Sequence, residues 1–234
     1  MPEEVDIWLA SLDPSPELSL SIRTLSVDEA ERKFHFASDR VQFITARAIL
    51  RDILSRYLGC AAEQLQFAYH YRGKPRLRGA TSITTDLRFN LSHCPDAALY
   101  AVSRGREVGV DIELVRPEMP WEQLANSFFA PGETAKLQQW PPHRRTFAFF
   151  TCWTRKEAYV KALGDGLLLP LHAFEVSAAP GEKAALLAAA DPAELKRWSF
   201  FDIPLGDSFA GSLVVEGYPS RVRLLNWHWT ELCS

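Results

Sequence analysis

Between Asp39 and Tyr57 the apolar residues Val41, Ile44, Ala48, Ile49, Ile53 and Tyr57 recur at helical spacing, and Gly59 follows where a helix would stop. The opposite side of that predicted helix carries Arg40, Arg47 and Arg51, a pattern equally compatible with a solvated face and with a surface for an anion. Further on, Phe67, Tyr69 and Tyr71 alternate with smaller or polar residues and run into Arg72-Gly73-Lys74-Pro75, so a short strand should end in a basic turn. From Leu87 to Glu113 the period becomes two. Three strands are expected over 88–93, 97–103 and 107–113, with Arg104-Gly105-Arg106 as a hairpin turn. Side chains alternate along a strand, so Val108, Val110 and Ile112 share one face of the third, and Gly109, Asp111 and Glu113 share the other. Two carboxylates therefore project side by side.

Helical periodicity returns over 121–129 and 144–163, with Pro131-Gly132 and Pro141-Pro142 read as turns between. On the second helix Trp153, Glu157 and Lys161 lie at i, i+4 and i+8, which puts a tryptophan, an acid and a base on one side, with Lys156 beside them. Gly164-Asp165-Gly166 should end it. A short helix within 184–198 and strands in 199–203, 209–215 and 221–229 complete the pattern. Each half offers a helix followed by strands, which predicts an α+β protein of two similar subdomains, 1–114 and 115–234. Sites often form at such junctions.

Composition narrows the function classes. The 234 residues are 47% hydrophobic and 24% charged, with a net charge of -3, which suits a globular protein and excludes collagen-like, coiled-coil and disordered classes. That balance also argues against general nucleic-acid binding, which needs a strongly basic face, so any anion site must be local. No run reaches the roughly 18–20 apolar residues of a membrane span, and Met1-Pro2-Glu3-Glu4 is acidic where a signal peptide is basic. A cytoplasmic protein with no membrane partner is expected. Cys60, Cys94, Cys152 and Cys233 lack Cys-x-x-Cys spacing and read as free thiols.

Asp111, Glu113 and Glu157 would supply three hard oxygen ligands suited to Mg²⁺. An Asp-x-Glu pair alone is more often a solvated strand face. Here it has company: Arg72, Lys74, Arg76 and Arg78 form a basic stretch, and Ser92-His93 ends a neighbouring strand. Basic groups with a carboxylate-held divalent cation describe a polyphosphate site. The chain has neither a P-loop nor the Gly-x-Gly-x-x-Gly dinucleotide fingerprint, so phosphate must be held differently. His93-Cys94 is a weak candidate for a cysteine nucleophile or a zinc ligand pair, because adjacent strand residues point apart.

Taken in order, Gly73-Lys74-Pro75, Phe89-Asn90-Leu91-Ser92-His93, Val108-Gly109-Val110-Asp111-Ile112-Glu113 and Trp153-Thr154-Arg155-Lys156-Glu157-Ala158-Tyr159-Val160-Lys161 resemble the motifs of the Sfp-type 4′-phosphopantetheinyl transferases. The likeness runs from about Phe34 to Leu171 and includes Gly166-Leu167-Leu168-Leu169-Pro170. It implies two α+β subdomains in pseudo-twofold arrangement with the active site in the cleft between them. The implied enzyme is a monomer that transfers the 4′-phosphopantetheine arm of coenzyme A, its co-substrate, to a serine of an apo acyl- or peptidyl-carrier protein. Adenosine 3′,5′-bisphosphate is released. By the same resemblance Asp111, Glu113 and Glu157 are the Mg²⁺ ligands, Lys74, Ser92 and His93 contact coenzyme A phosphates, and Lys161 approaches the diphosphate. Lys156 matches a motif position grouped with the coenzyme A contacts. Arg40, Arg47 and Arg72 are the candidates for the 3′-phosphate, with Ser38 as a competitor. Glu157 is read either as the base that deprotonates the serine, with Lys161 as the second catalytic group, or as a ligand only. Carrier recognition is expected in the Met119 to Pro142 region. Competing readings are a Mg²⁺-dependent nucleotide or coenzyme A phosphohydrolase and a non-catalytic coenzyme A-binding module.

Overall fold

The computed structural model describes residues 4–12, 24–26, 29, 34, 36–69, 74–78, 86–164, 169–179 and 181–228. Its elements are β1 (Glu4–Ser11), α1 (Ala37–Leu58), β2 (Phe67–Tyr69), β3 (Pro75–Leu77), β4 (Leu87–His93), β5 (Ala97–Arg104), β6 (Val108–Leu114), α2 (Trp121–Phe128) and α3 (Pro131–Leu137). They continue with α4 (Arg145–Leu163), β7 (Glu175–Val176), β8 (Leu186–Ala188), α5 (Glu194–Arg197), β9 (Trp198–Asp202), β10 (Phe209–Glu216) and β11 (Arg221–Asn226).

Two sheets carry the structure. The first has the order β11-β1-β5-β4 and the second β6-β10-β9. One face of the first sheet packs on α1, where Ile49, Leu50, Ile53 and Leu54 meet Leu87, Phe89, Tyr100 and Val102. Its other face packs on the second sheet through Val5, Ile7, Leu99 and Ala101 against Val108, Val110, Ile112 and Leu213. The far side of the second sheet buries Val214 and Phe200 against Ala158, Tyr159 and Ala162 of α4. The layers thus run helix, sheet, sheet, helix. This explains why β5 is buried at seven successive positions, Ala97 to Ser103: a central strand between two apolar layers has no solvent face.

Local sequence accounts for most element limits. Gly59 (φ 65°) and Gly164 (φ 76°) end α1 and α4 in the left-handed conformation, which costs glycine no Cβ clash. Pro131, read as part of a turn, instead opens α3. A proline at the first helical position loses nothing, since its missing N–H would have no intrahelical partner, and Glu133 Oε2 accepts the Ala130 N–H at 2.9 Å.

Strand pairing crosses the expected division at 114/115. β6 lies on the N-terminal side of that line, yet it pairs antiparallel with β10, placing Asp111 opposite Ser212. β11 lies on the C-terminal side and pairs parallel with β1. A hairpin connection to β5 was the local expectation for β6; burial of the Val108, Val110 and Ile112 face between the sheets places it instead at the edge of the second sheet.

Candidate active site

β4, β6 and α4 meet at one edge of the sandwich. The approach of α4 to β6 depends on Gly109. A Cβ at that position would lie 2.0 Å from the carbonyl oxygen of Ala158 and 2.4 Å from the nitrogen of Ala162, so helix backbone occupies the space a side chain would need. Because Gly109, Asp111 and Glu113 share a strand face, this contact turns both carboxylates toward the helix that carries Glu157 and Lys161.

Asp111 is buried at the centre. Its Oδ1 accepts hydrogen bonds from Ser92 Oγ at 2.7 Å and from Lys161 Nζ at 2.6 Å, and Lys161 also donates to Ser92 Oγ at 2.8 Å. Three elements thus converge on one oxygen. The second oxygen, Oδ2, is buried and has no hydrogen-bond partner among the described residues. Glu113 and Glu157 add like charge. Burial, then Asp111, pushes the Glu113 carboxyl up to about 7, against the opposing pull of Lys161 and Arg116. Burial and Asp111 also hold Glu157 above the usual carboxylate range. His93, at the exposed end of β4, is held below the usual imidazole range by desolvation on its protein side and by the Lys161 charge.

This donor set suits a hard divalent cation. The charge of buried Asp111 raises the half-buried carboxyls of Glu113 and Glu157, and its Oδ2 is an acceptor with no hydrogen-bond partner among the described residues, so the cluster has room for positive charge beyond Lys161. Among the described residues no three His, Cys, Asp or Glu side chains, Asp111, Glu113 and Glu157 included, stand close enough together to hold a metal ion by themselves. Mg²⁺ does not require such a set, because it commonly takes one or two carboxylates and completes its shell with waters and phosphate oxygens.

Lys74 stands apart from this cluster, at the start of β6. Its Nζ donates to Glu107 at 3.2 Å, to the Val108 carbonyl at 3.2 Å and to the Ala162 carbonyl at 3.4 Å, and burial lowers its pKa. Arg76 and Arg88 also pair with Glu107, at 3.7 and 3.1 Å, so three cations surround one acid. Arg40 is exposed in the first turn of α1, while Gln42 donates to the Pro95 carbonyl in the turn just beyond His93. Arg72 lies outside the described residues.

Two expected contacts are drawn elsewhere. Arg47 is buried, 3.1 Å from Glu29, with its guanidinium over the rings of Phe43 and Phe67. Its neighbour Arg51 binds the same carboxylate and the carbonyls of Ala62 and Leu65. Neither reading of that helix face anticipated a buried ion network, because Glu29 joins it from outside the helix. Lys156 is fully buried, with Nζ 2.7 Å from both Glu133 and the Phe174 carbonyl. Successive helical positions differ by about 100°, so Lys156 points into the C-terminal core while Glu157 faces the cluster.

Asn90 went unassigned in the motif that contains Ser92. Its Oδ1 accepts the Val110 N–H at 2.9 Å. Strand alternation carried the signal, since Asn90 and Ser92 share a face of β4. Beside Glu157 lies a cavity of about 390 Å³ walled by Phe128, Trp153, Val160, Leu169 and Leu171, with Phe128 edge-on to Trp153 at 5.7 Å between centroids.

Over 97% of its length, and 93% of the relative's, the chain is 39% identical to the 4′-phosphopantetheinyl transferase HetI of Nostoc sp. strain PCC 7120. The chain belongs to the 4′-phosphopantetheinyl transferase superfamily. The superfamily profile matches residues 107–214, and that of a 4′-phosphopantetheinyl transferase N-terminal region matches 11–104. A 4′-phosphopantetheinyl transferase of Bacillus subtilis is 30% identical over 62% of each chain. Among solved structures, the holo-(acyl-carrier-protein) synthase of Bacillus anthracis, in complex with CoA (3′,5′-ADP), is similar over 48% of this chain and 96% of its own, at TM-score 0.41 and 21% identity. As a member of the superfamily, this α+β chain is an enzyme, a 4′-phosphopantetheinyl transferase.

Proposed function

We propose that the enzyme moves the 4′-phosphopantetheine arm of coenzyme A onto a serine hydroxyl of an apo acyl- or peptidyl-carrier protein, with Mg²⁺ as the required ion and adenosine 3′,5′-bisphosphate as the second product. The observation that carries the residue assignment is the convergence of Ser92, Asp111 and Lys161 beside the raised carboxyls of Glu113 and Glu157. Asp111, Glu113 and Glu157 would hold Mg²⁺, which would supply charge neutralisation at the reacting diphosphate. Lys161, already within reach of both Asp111 and Ser92, offsets charge on the diphosphate as the nucleotide leaves. Ser92 and His93 contact the phosphates from the end of β4, and Lys74 does so from the basic cluster at Glu107. Arg40 and Arg72 remain the proposed partners of the 3′-phosphate.

Glu157 projects from α4 and lines the apolar cavity. Its place in the lining of that cavity, on the helix that also carries Lys161, supports Glu157 as the base for the incoming serine. The cavity walls suit the slender pantetheine arm, whose passage along Trp153 and Leu169 would lead its phosphate end to the carboxylates. Ser127 and Phe128, from the segment between Met119 and Pro142, form its rim, and we place carrier contacts there.

Incubation with coenzyme A, Mg²⁺ and an apo carrier protein, read by intact mass, tests this reading. The carrier should gain one phosphopantetheine and the solution should gain adenosine bisphosphate. Consumption of coenzyme A with no gain in carrier mass would replace transfer by hydrolysis.

A further inference from the structure

The two sheets present their edges to each other at the site without sharing a backbone ladder. β4 ends the first sheet and β6 begins the second, and among the described residues no strand pairing joins them. What crosses this seam is side-chain chemistry. Asn90 Oδ1 accepts the Val110 N–H at 2.9 Å, and two residues along the same strand face Ser92 Oγ donates to Asp111 Oδ1 at 2.7 Å. Asn90, Ser92, Val110 and Asp111 are all buried. Val110 is an interior residue of an edge strand, so a buried N–H there needs an acceptor from outside its own sheet.

We propose that Asn90 is a positioning residue for the transfer reaction: by accepting the Val110 N–H it sets the offset between β4 and β6, and so the placement of Ser92 and His93 relative to Asp111 and Glu113. This rests on the transferase reading above. The geometry favours such a role over general stabilisation because the bond lies one residue from Asp111 and two from Ser92. Phe89 and Leu91, on the opposite face of β4, already anchor that strand to the α1 core. With the bond removed, the strand can stay folded on its sheet while its other face slides along β6. Displacements near 1 Å at a reacting centre can cost about a hundredfold in rate.

The experiment compares wild type with Asn90→Leu, which keeps size but offers no acceptor, and Asn90→Asp, which keeps an oxygen at the same reach. Each full-length protein is assayed for kcat and for the KM of coenzyme A with an apo carrier protein. Circular dichroism gives the folded fraction, and amide exchange reports the Val110 N–H. Asn90→Leu should remain folded, lose the protection of the Val110 amide and lose at least roughly tenfold in kcat per folded molecule, with a smaller change in KM. Asn90→Asp should regain most of both. The proposal is overturned by a wild-type kcat in folded Asn90→Leu, by a loss that the unfolded fraction fully explains, or by Asn90→Asp performing no better than Asn90→Leu. A wild-type protein that modifies no carrier would instead overturn the transferase reading, and this proposal with it.

Discussion

Replacing Gly109 by alanine should disable the enzyme through a single methyl group. The new Cβ would sit 2.0 Å from the Ala158 oxygen, 2.4 Å from the Ala162 nitrogen and 2.9 Å from the Ala162 Cα. Non-bonded heavy atoms settle at about 3.5–4.0 Å, so α4 must withdraw from β6 by about 1.5 Å. Overpacking of this kind typically costs about 1–3 kcal/mol, occasionally more, and the upper value is apt where the obstructing atoms are backbone. For a chain of this size, about 3 kcal/mol lowers the melting temperature by about 6–12 °C. The same withdrawal carries Glu157 and Lys161 away from Asp111, for which about a hundredfold loss of kcat is expected. Thermal circular dichroism and intact-mass transfer kinetics on one preparation measure both effects. Ala158→Gly or Ala162→Gly should not rescue the variant, since neither removes the atoms in the way. A Gly109→Ala protein with wild-type melting and wild-type kcat would refute the claim that the approach of α4 to this strand builds the site.

Asp111→Ala and Glu157→Ala should each abolish transfer while leaving the far-ultraviolet spectrum essentially unchanged, because each removes a charged group at the site and not an apolar one from a core. Lys74→Ala and His93→Ala should weaken coenzyme A binding by about ten- to a hundredfold in calorimetry, the scale of a charge-assisted phosphate contact of about 1.5–3 kcal/mol. Lys156→Met should leave Glu133 buried without its cation and cost about 3–5 kcal/mol in urea unfolding, and Arg40→Ala should selectively reduce the preference for coenzyme A over its 3′-dephospho form. Without divalent metal, the raised carboxyls make the folded state bind more protons than the unfolded chain. The contribution of Glu113 to stability is therefore fully present below about 4.5 and fades as pH rises through about 7, and Glu113→Gln should flatten that slope in denaturant titrations at stepped pH.

Periodicity made α1, α4 and the strands β4, β5 and β6 legible within a residue or two of their ends, because each buries a continuous apolar stripe that local sequence displays. The shared face of Asp111 and Glu113 on β6 was legible for the same reason, as alternation fixes which strand residues share a face. What sequence left open were partners distant along the chain. The buried role of Arg47 depends on Glu29, and that of Lys156 depends on Glu133 and Phe174, so a charged residue on a helix looked the same whether it faced water, phosphate or a buried acid. β1 was missed altogether, and its neighbour β11 is supplied by the far end of the described chain.

That parallel pairing of β1 with β11 has a consequence for how the protein is made. Six residues of β1, Glu4 to Leu9, find their partners at Arg221 to Asn226, and Arg223 clamps buried Asp6 with two hydrogen bonds of 2.6 and 2.8 Å. During synthesis β1 must wait for β11, more than two hundred residues further along the chain, before its outer edge is covered, so the first sheet cannot be completed until β11 has emerged. Until then an open strand edge is available to other nascent chains, and loop closure over more than two hundred residues must precede its protection. Expressed as separate pieces, residues 1–114 would carry β6 without its partner and would leave the outer edge of β1 bare, so the two parts of this enzyme are expected to fold together or not at all.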